Sequence, residues 1–202
     1  MGILRSIFGP SKDEIWRLLA HEIHGTYSSE FWTGSKVRVV HKEWVITLDT
    51  YTQSHGKSAT TYTRLRAPYV NADRFQFKIY RKGIFSGMAK FFGEQDIEIG
   101  DPAFDDAFII QGNDSRHVRT FFQNPRIRQL LEHQPLVYLT VKDDEGWFGP
   151  EFPKGVDELC FTAPVVIKDV NQLKELFELF AETLNHLCHI GSAYENDPNI
   201  VL

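Results

Sequence analysis

The chain has 202 residues, 42% of them hydrophobic and 24% charged, proportions that exclude a collagen-like, mucin-like or wholly disordered polypeptide. With 22 basic against 27 acidic side chains, the net charge of −5 is too small for a solvating acidic tail and of the wrong sign for a histone-like polycation. Cys160 and Cys188 have no metal-ligand spacing and read as reduced core residues of a cytoplasmic protein; no apolar run reaches the ~18–20 residues of a membrane span.

Met1-Gly2-Ile3-Leu4-Arg5-Ser6 fits a loose myristoylation pattern, but the apolar Ile3, Leu4, Ile7 and Phe8 read better as an arm docking on the domain. The segment is too short for a signal peptide. Ser11 with Glu14 forms a capping box, and Ile15, Trp16, Leu19 and Ile23 continue a helix that Gly25 ends. Alternation predicts half-buried strands over Trp44–Thr50 and Arg74–Tyr80, with a Thr- and Tyr-rich strand from Thr60 to Leu65 between them and a turn at Pro68 and Asn71. A short helix is expected over 84–92, then an acidic segment in which Ile97 and Ile99 alternate with acids, then a strand at Phe108–Ile110. Asp114 or Ser115 caps a helix bearing Val118, Phe121 and Phe122, and Asn124-Pro125 restarts it. Strands over Leu136–Val141 and Leu159–Ile167 flank a Gly- and Pro-rich loop, the best candidate for mobility. Asp169 and Gln172 open the last helix, whose Leu173, Leu176, Phe177, Phe180, Leu184 and Leu187 form one apolar stripe.

Alternating strands and amphipathic helices predict an α+β fold: antiparallel meander sheet covered by the N-terminal helix, a central broken helix and the long C-terminal helix. Residues 1–202 read as a single domain, with a division into two α+β halves near 93–103 as the alternative.

Charge is sorted along the chain. Residues 57–90 hold eight bases against the single acid Asp73, interleaved with aromatic residues. Such a stripe suits a single-stranded nucleic-acid or anionic-ligand surface, with Arg64, Arg66, Lys78, Tyr80 and Arg81 as its candidates. The competing reading is a solvated sheet face whose cations pair with acids of the same chain. From Glu94 to Asp106 six acids occur without a base. Asp96, Asp101, Asp105 and Asp106 are the candidates for a divalent metal or for acid/base chemistry, although the spacing matches no EF-hand and suits turn and cap positions equally. His21-Glu22-Ile23-His24 is not HExxH. His186, Cys188 and His189 crowd one helix end, with Cys188 on the apolar stripe. Arg116, Arg119, Arg126 and Arg128 are expected to pair with the acidic segment.

The segments Ile7–Lys12, Trp44–Thr50, Tyr62–Tyr69 and Phe92–Asp101, with Phe104–Phe108, resemble a bacterial family of uncharacterised proteins. The resemblance implies a bacterial cytoplasmic protein and supplies no catalytic residues. No coherent catalytic constellation stands out. The leading expectation is a non-enzymatic binding or assembly domain using its charge-sorted surfaces, with self-association as its partner mode and no cofactor. Nucleic acid ranks low as a partner. The alternatives are a metal-dependent hydrolase working through 94–106 and single-strand or anionic-ligand binding through 57–90.

Overall fold

The computed structural model describes residues 9–31, 34–83, 96–143, 152–200 and 202. The N-terminal arm, the helix expected over 84–92 and residues 144–151 of the Gly- and Pro-rich loop lie outside them. In chain order the elements are α1 (Lys12–Glu22), β1 (Thr26–Glu30), β2 (Gly34–His41), β3 (Trp44–His55), β4 (Ser58–Asn71), β5 (Phe77–Arg81), α2 (Pro102–Ala107), β6 (Phe108–Gly112), α3 (Ser115–Phe121), α4 (Pro125–His133), β7 (Tyr138–Lys142), β8 (Val156–Ala163), α5 (Val170–His189) and β9 (Ala193–Tyr194). The strands form one antiparallel sheet in the order β1-β2-β3-β4-β8-β7-β5-β6, and β9 pairs with the far end of β4. Strands from either side of 93–103 thus interleave in a single sheet.

Register explains which face is buried. Directly opposed residues Val37, Leu48, Leu65, Phe161, Leu139, Ile79 and Ile110 run across seven strands as one apolar row. All are buried, in one cluster with Trp16 and Leu19 of α1, Phe121 of α3, Leu130 of α4 and Leu176 and Phe180 of α5. Successive residues of a strand point to opposite faces, so the adjacent row, Arg38, Thr47, Arg66, Cys160, Thr140, Lys78 and Gln111, lies on the other face. We call it the open face. The α+β antiparallel architecture expected from the sequence is therefore observed.

The helix caps follow the sequence. Ser11 and Glu14 make the reciprocal capping box of α1, Asp114 caps α3, Asn124 caps α4, and Asp169 Oδ1 accepts the Gln172 N–H at 2.9 Å. Several boundaries differ from expectation: the strand expected over Leu159–Ile167 is Val156–Ala163, and two further differences have a plain physical reason. Pro68 is within β4, opposite Glu158, because the pairing of β3 with β4 ends at Arg66 and that of β9 begins at Val70, leaving a gap where no ladder needs a proline N–H. The strand expected from Arg74 begins at Phe77, because Arg74 takes φ +62°, which a strand does not accommodate. The Asn71 carboxamide oxygen holds that turn by accepting the N–H groups of Asp73 and Arg74. Among the described residues no helix is long and apolar enough to cross a membrane.

Gly112 closes β6 where three elements converge. A Cβ there would lie 2.7 Å from Val118 Cγ2 and 2.9 Å from the Gln76 carbonyl oxygen. Gly112→Ala should therefore lower stability by about 1–3 kcal/mol through overpacking. Urea denaturation checks this, and a change within about 0.5 kcal/mol would mean that Val118 and the Gln76 backbone yield freely.

Candidate functional site

The sequence-predicted basic residues divide between the faces. Arg64, Arg66, Lys78 and Tyr80 occupy the open face. Arg81 shares its side of β5 with Phe77 and Ile79 and so points to the helical side. There it donates to the carbonyl oxygens of Glu132 and Gln134, at 3.0 and 2.9 Å, and stacks over Phe108. It satisfies carbonyls at the end of α4, a structural role.

The open-face arginines meet acids from neighbouring strands. Asp49 of β3, directly opposite Arg64, receives a forked pair from it at 2.8 and 2.9 Å and a third hydrogen bond from Arg66 at 2.8 Å. Arg66 also faces the Glu158 carboxylate of β8 at 3.8 Å, and Lys142 of β7, paired with Glu158 across the strands, approaches its other oxygen at 3.3 Å. The Glu158 side chain is 0% exposed, that of Asp49 4% and that of Arg66 5%, so the middle of this chain of alternating charges is interior, while Arg64 and Lys142 at its ends reach solvent. Burial pushes the Asp49 carboxyl upward, but the Arg64 hydrogen bonds and the charges of Arg66 and Arg64 outweigh it and hold Asp49 below its ordinary 3.8.

Beside this network the open face is hollowed into a trough of about 460 Å³, within the range of small-molecule sites. Its lining includes Tyr51, Lys78, Tyr138, Thr140, Cys160 and Thr162. Cys160, Thr140 and Lys78 are successive cross-strand partners on β8, β7 and β5, so the bed spans roughly 10 Å. Stacking sets its phenol walls: Tyr51 lies on Tyr62 with centroids 4.9 Å apart, and Tyr138 on Tyr80 at 6.0 Å. Burial pushes the Tyr51 hydroxyl and the Cys160 thiol each up to about 12, the latter with help from the Glu158 charge, and raises Tyr138 as well. At neutral pH the thiol is therefore protonated and a weak nucleophile. Past Gln76, Asn113 and Asp143 the trough meets a second depression of about 530 Å³. Four of its polar side chains serve structure: Asn113 bonds the Gln76 and Arg74 backbone, while Asn71 and Gln76 donate to Asp157.

Three of the four acidic candidates are engaged, each with different partners. Asp101 caps α2 and pairs with Arg128 at 3.2 Å; Asp105 accepts the N–H groups of Ile99 and Gly100; Asp96 accepts from the Gln111 side chain; Asp106 is exposed. Among the described residues no three His, Cys, Asp or Glu side chains come together to hold a metal. The expected Arg128 pairing is thus present, and Arg119 donates to the Glu98 carbonyl, whereas Arg126 pairs with Glu178 of α5 instead.

Ser192, His117 and Asp73 do come together. Ser192 Oγ donates to Asp73 Oδ2 at 2.9 Å and lies 3.3 Å from His117 Nε2, while that same nitrogen faces Asp73 at 3.5 Å. A nucleophilic relay needs the acid on the other ring nitrogen, and Ser192 is 0% exposed. The trio staples the β9 segment to α3 and the β4–β5 turn.

Sequence reading missed Asp49, Glu158, Lys142, Tyr138, Thr140, Cys160 and Thr162 as site residues. Strand parity places each of them opposite an apolar neighbour, but which strands adjoin could not be read from it.

The sequence matches no protein-family description and no curated protein. Among solved structures, the crystal structure of the mycobacterial trehalose monomycolate transport factor A, TtfA, aligns with 87% of this chain and 95% of that one, at 12% identity and a TM-score of 0.42. At that level of likeness it carries no argument, and function has to be read from the open face itself.

Proposed function

We propose that the protein is a non-enzymatic binding module whose working surface is the open face of the sheet. The trough carries this reading: a concavity of about 460 Å³ on a bed of cross-strand pairs, walled by stacked tyrosines and braced by the Asp49–Arg66–Glu158–Lys142 network. Such a bed is organised before a ligand arrives, which lowers the entropic cost of binding. The protonated Cys160 thiol and the geometry of Ser192, His117 and Asp73 support recognition over nucleophilic chemistry. The engagement of Arg64 and Arg66 by Asp49 favours a pocket over an exposed phosphate-tracking stripe.

Amide NMR with a small-fragment library tests the proposal. Shifts should concentrate on Tyr51, Lys78, Tyr138, Thr140 and Thr162. Fragments that bind only elsewhere, or a library with no hit on these residues, would overturn it.

A further inference from the structure

The charges around the trough are already answered within the protein. Lys142 lies 3.3 Å from one oxygen of Glu158, and Arg66 stands 3.8 Å from the other. Asp49 holds Arg64 and Arg66 at 2.8 Å each. Lys78 and Gln111, also in the lining, are engaged as well, Gln111 by donating to Asp96 at 2.9 Å. Asp143 is exposed and stands where the trough meets the second depression, so water weakens the reach of its charge. What the bed itself presents is uncharged. Thr140 and Thr162 offer hydroxyls beside the thiol of Cys160, and their methyl groups and the sulfur supply apolar surface. Burial pushes the Cys160 thiol and the Tyr51 hydroxyl each up to about 12, so both stay protonated at neutral pH.

From this we infer that the trough selects an uncharged small molecule, an apolar body carrying hydroxyl or amide groups, and that the paired charges beside it act against ions. The inference rests on the reading of the open face as a binding surface and adds its ligand class. An ion that enters a low-dielectric concavity loses hydration and needs an opposite charge in return. An incoming anion would have to draw Lys142 away from Glu158, whose side chain is 0% exposed, and leave a buried carboxylate short of its cation. An incoming cation would have to compete with Lys142 and Arg66 for the same carboxylate. A neutral ligand leaves these pairs intact and meets hydroxyls that both donate and accept.

Three probes share one ring system and differ in charge: 2-naphthol, 2-naphthalenesulfonate and 2-naphthylmethylammonium. Amide NMR titration at neutral pH locates each one and measures its affinity. The naphthol should shift the signals of Thr140, Cys160 and Thr162 and bind there about tenfold more tightly than either ion, or better. Glu158→Gln takes the shared carboxylate from Lys142 and Arg66 and should bring the sulfonate level with the naphthol or above it. An ion that matches the naphthol in the unmodified protein, or a naphthol preference that Glu158→Gln leaves untouched, overturns selection by paired charges and leaves the binding surface standing. If none of the three probes shifts these signals, the trough is not a binding surface and both readings fall. Should Glu158→Gln fail to fold, Lys142→Met, at a side chain 29% exposed, takes its place and should strengthen binding of the ammonium probe; unchanged ammonium affinity then overturns the inference.

Discussion

Asp49→Asn is expected to destabilise the protein by about 3–5 kcal/mol, the cost of breaking a buried ion pair from one side. Asp49 takes three hydrogen bonds from two guanidinium groups, and its neighbour Arg66 has a side chain only 5% exposed. Removing the carboxylate charge deprives Arg66 of its 2.8 Å ion pair and leaves Glu158, at 3.8 Å, as the acid still facing it among the described residues. Arg64→Met should cost far less, since Arg64 is 22% exposed and Asp49 keeps its bond from Arg66. Urea denaturation of both variants at neutral pH measures the difference; equal losses would show that the network does not centre on Asp49. The acid limb gives an independent check. Because the native carboxyl of Asp49 is held below 3.8, its contribution is fully present above that value and is lost as pH falls through the lower native value. Asp49→Asn should therefore flatten the stability profile below about pH 4.

Phe121→Ala should remove about 3–5 kcal/mol, the usual cost of emptying a large buried aromatic site. Phe121 is 0% exposed, and its ring lies 4.7 Å from Phe77, 5.0 Å from Phe122, 5.4 Å from His186 and 6.2 Å from Phe75. It thus joins α3 to β5 and to the C-terminal end of α5. The cavity would lie between rigid rings that cannot collapse freely into it. Denaturant unfolding supplies the number, and a loss below about 1.5 kcal/mol would mean that the neighbouring rings repack.

Much of the fold was legible locally. Caps at Ser11, Asp114, Asn124 and Asp169 are chemical signals within three residues of the N–H groups they satisfy. The stripe of α5 and the alternation of β3 report a burial pattern that each segment carries by itself. The failures are also physical. The alternation of its neighbours places Arg74 in a strand, whereas the Asn71 side chain holds it at positive φ in a turn. Pro68 reads locally as a turn residue, yet it fits a gap between two ladders whose ends no local pattern announces.

The candidate site shows the same division. The sequence identifies a basic run followed by an acidic one, with Arg64 inside the strand expected over Thr60–Leu65 and Arg66 just past its end. It did not show that Arg81 belongs with Phe77 and Ile79 on the helical side, although the alternation contained that information. Among the described residues, the acids that engage Arg64 and Arg66 lie outside 96–106. They are Asp49, across the β3–β4 hairpin, and Glu158, on a strand inserted between β4 and β7.

The sequence by itself therefore determined helices α1, α3, α4 and α5 with their caps and the presence of strands β3 to β8, because these depend on residues a few positions apart; β1, β2, α2 and β9 carry no such local mark. Only the tertiary structure decided which strands adjoin. Placing β8 and β7 between β4 and β5 aligns Arg66, Cys160, Thr140 and Lys78 in one row and creates the trough. Pairing between strands distant in sequence is set by the register that buries every apolar row at once, and no single segment encodes that sum.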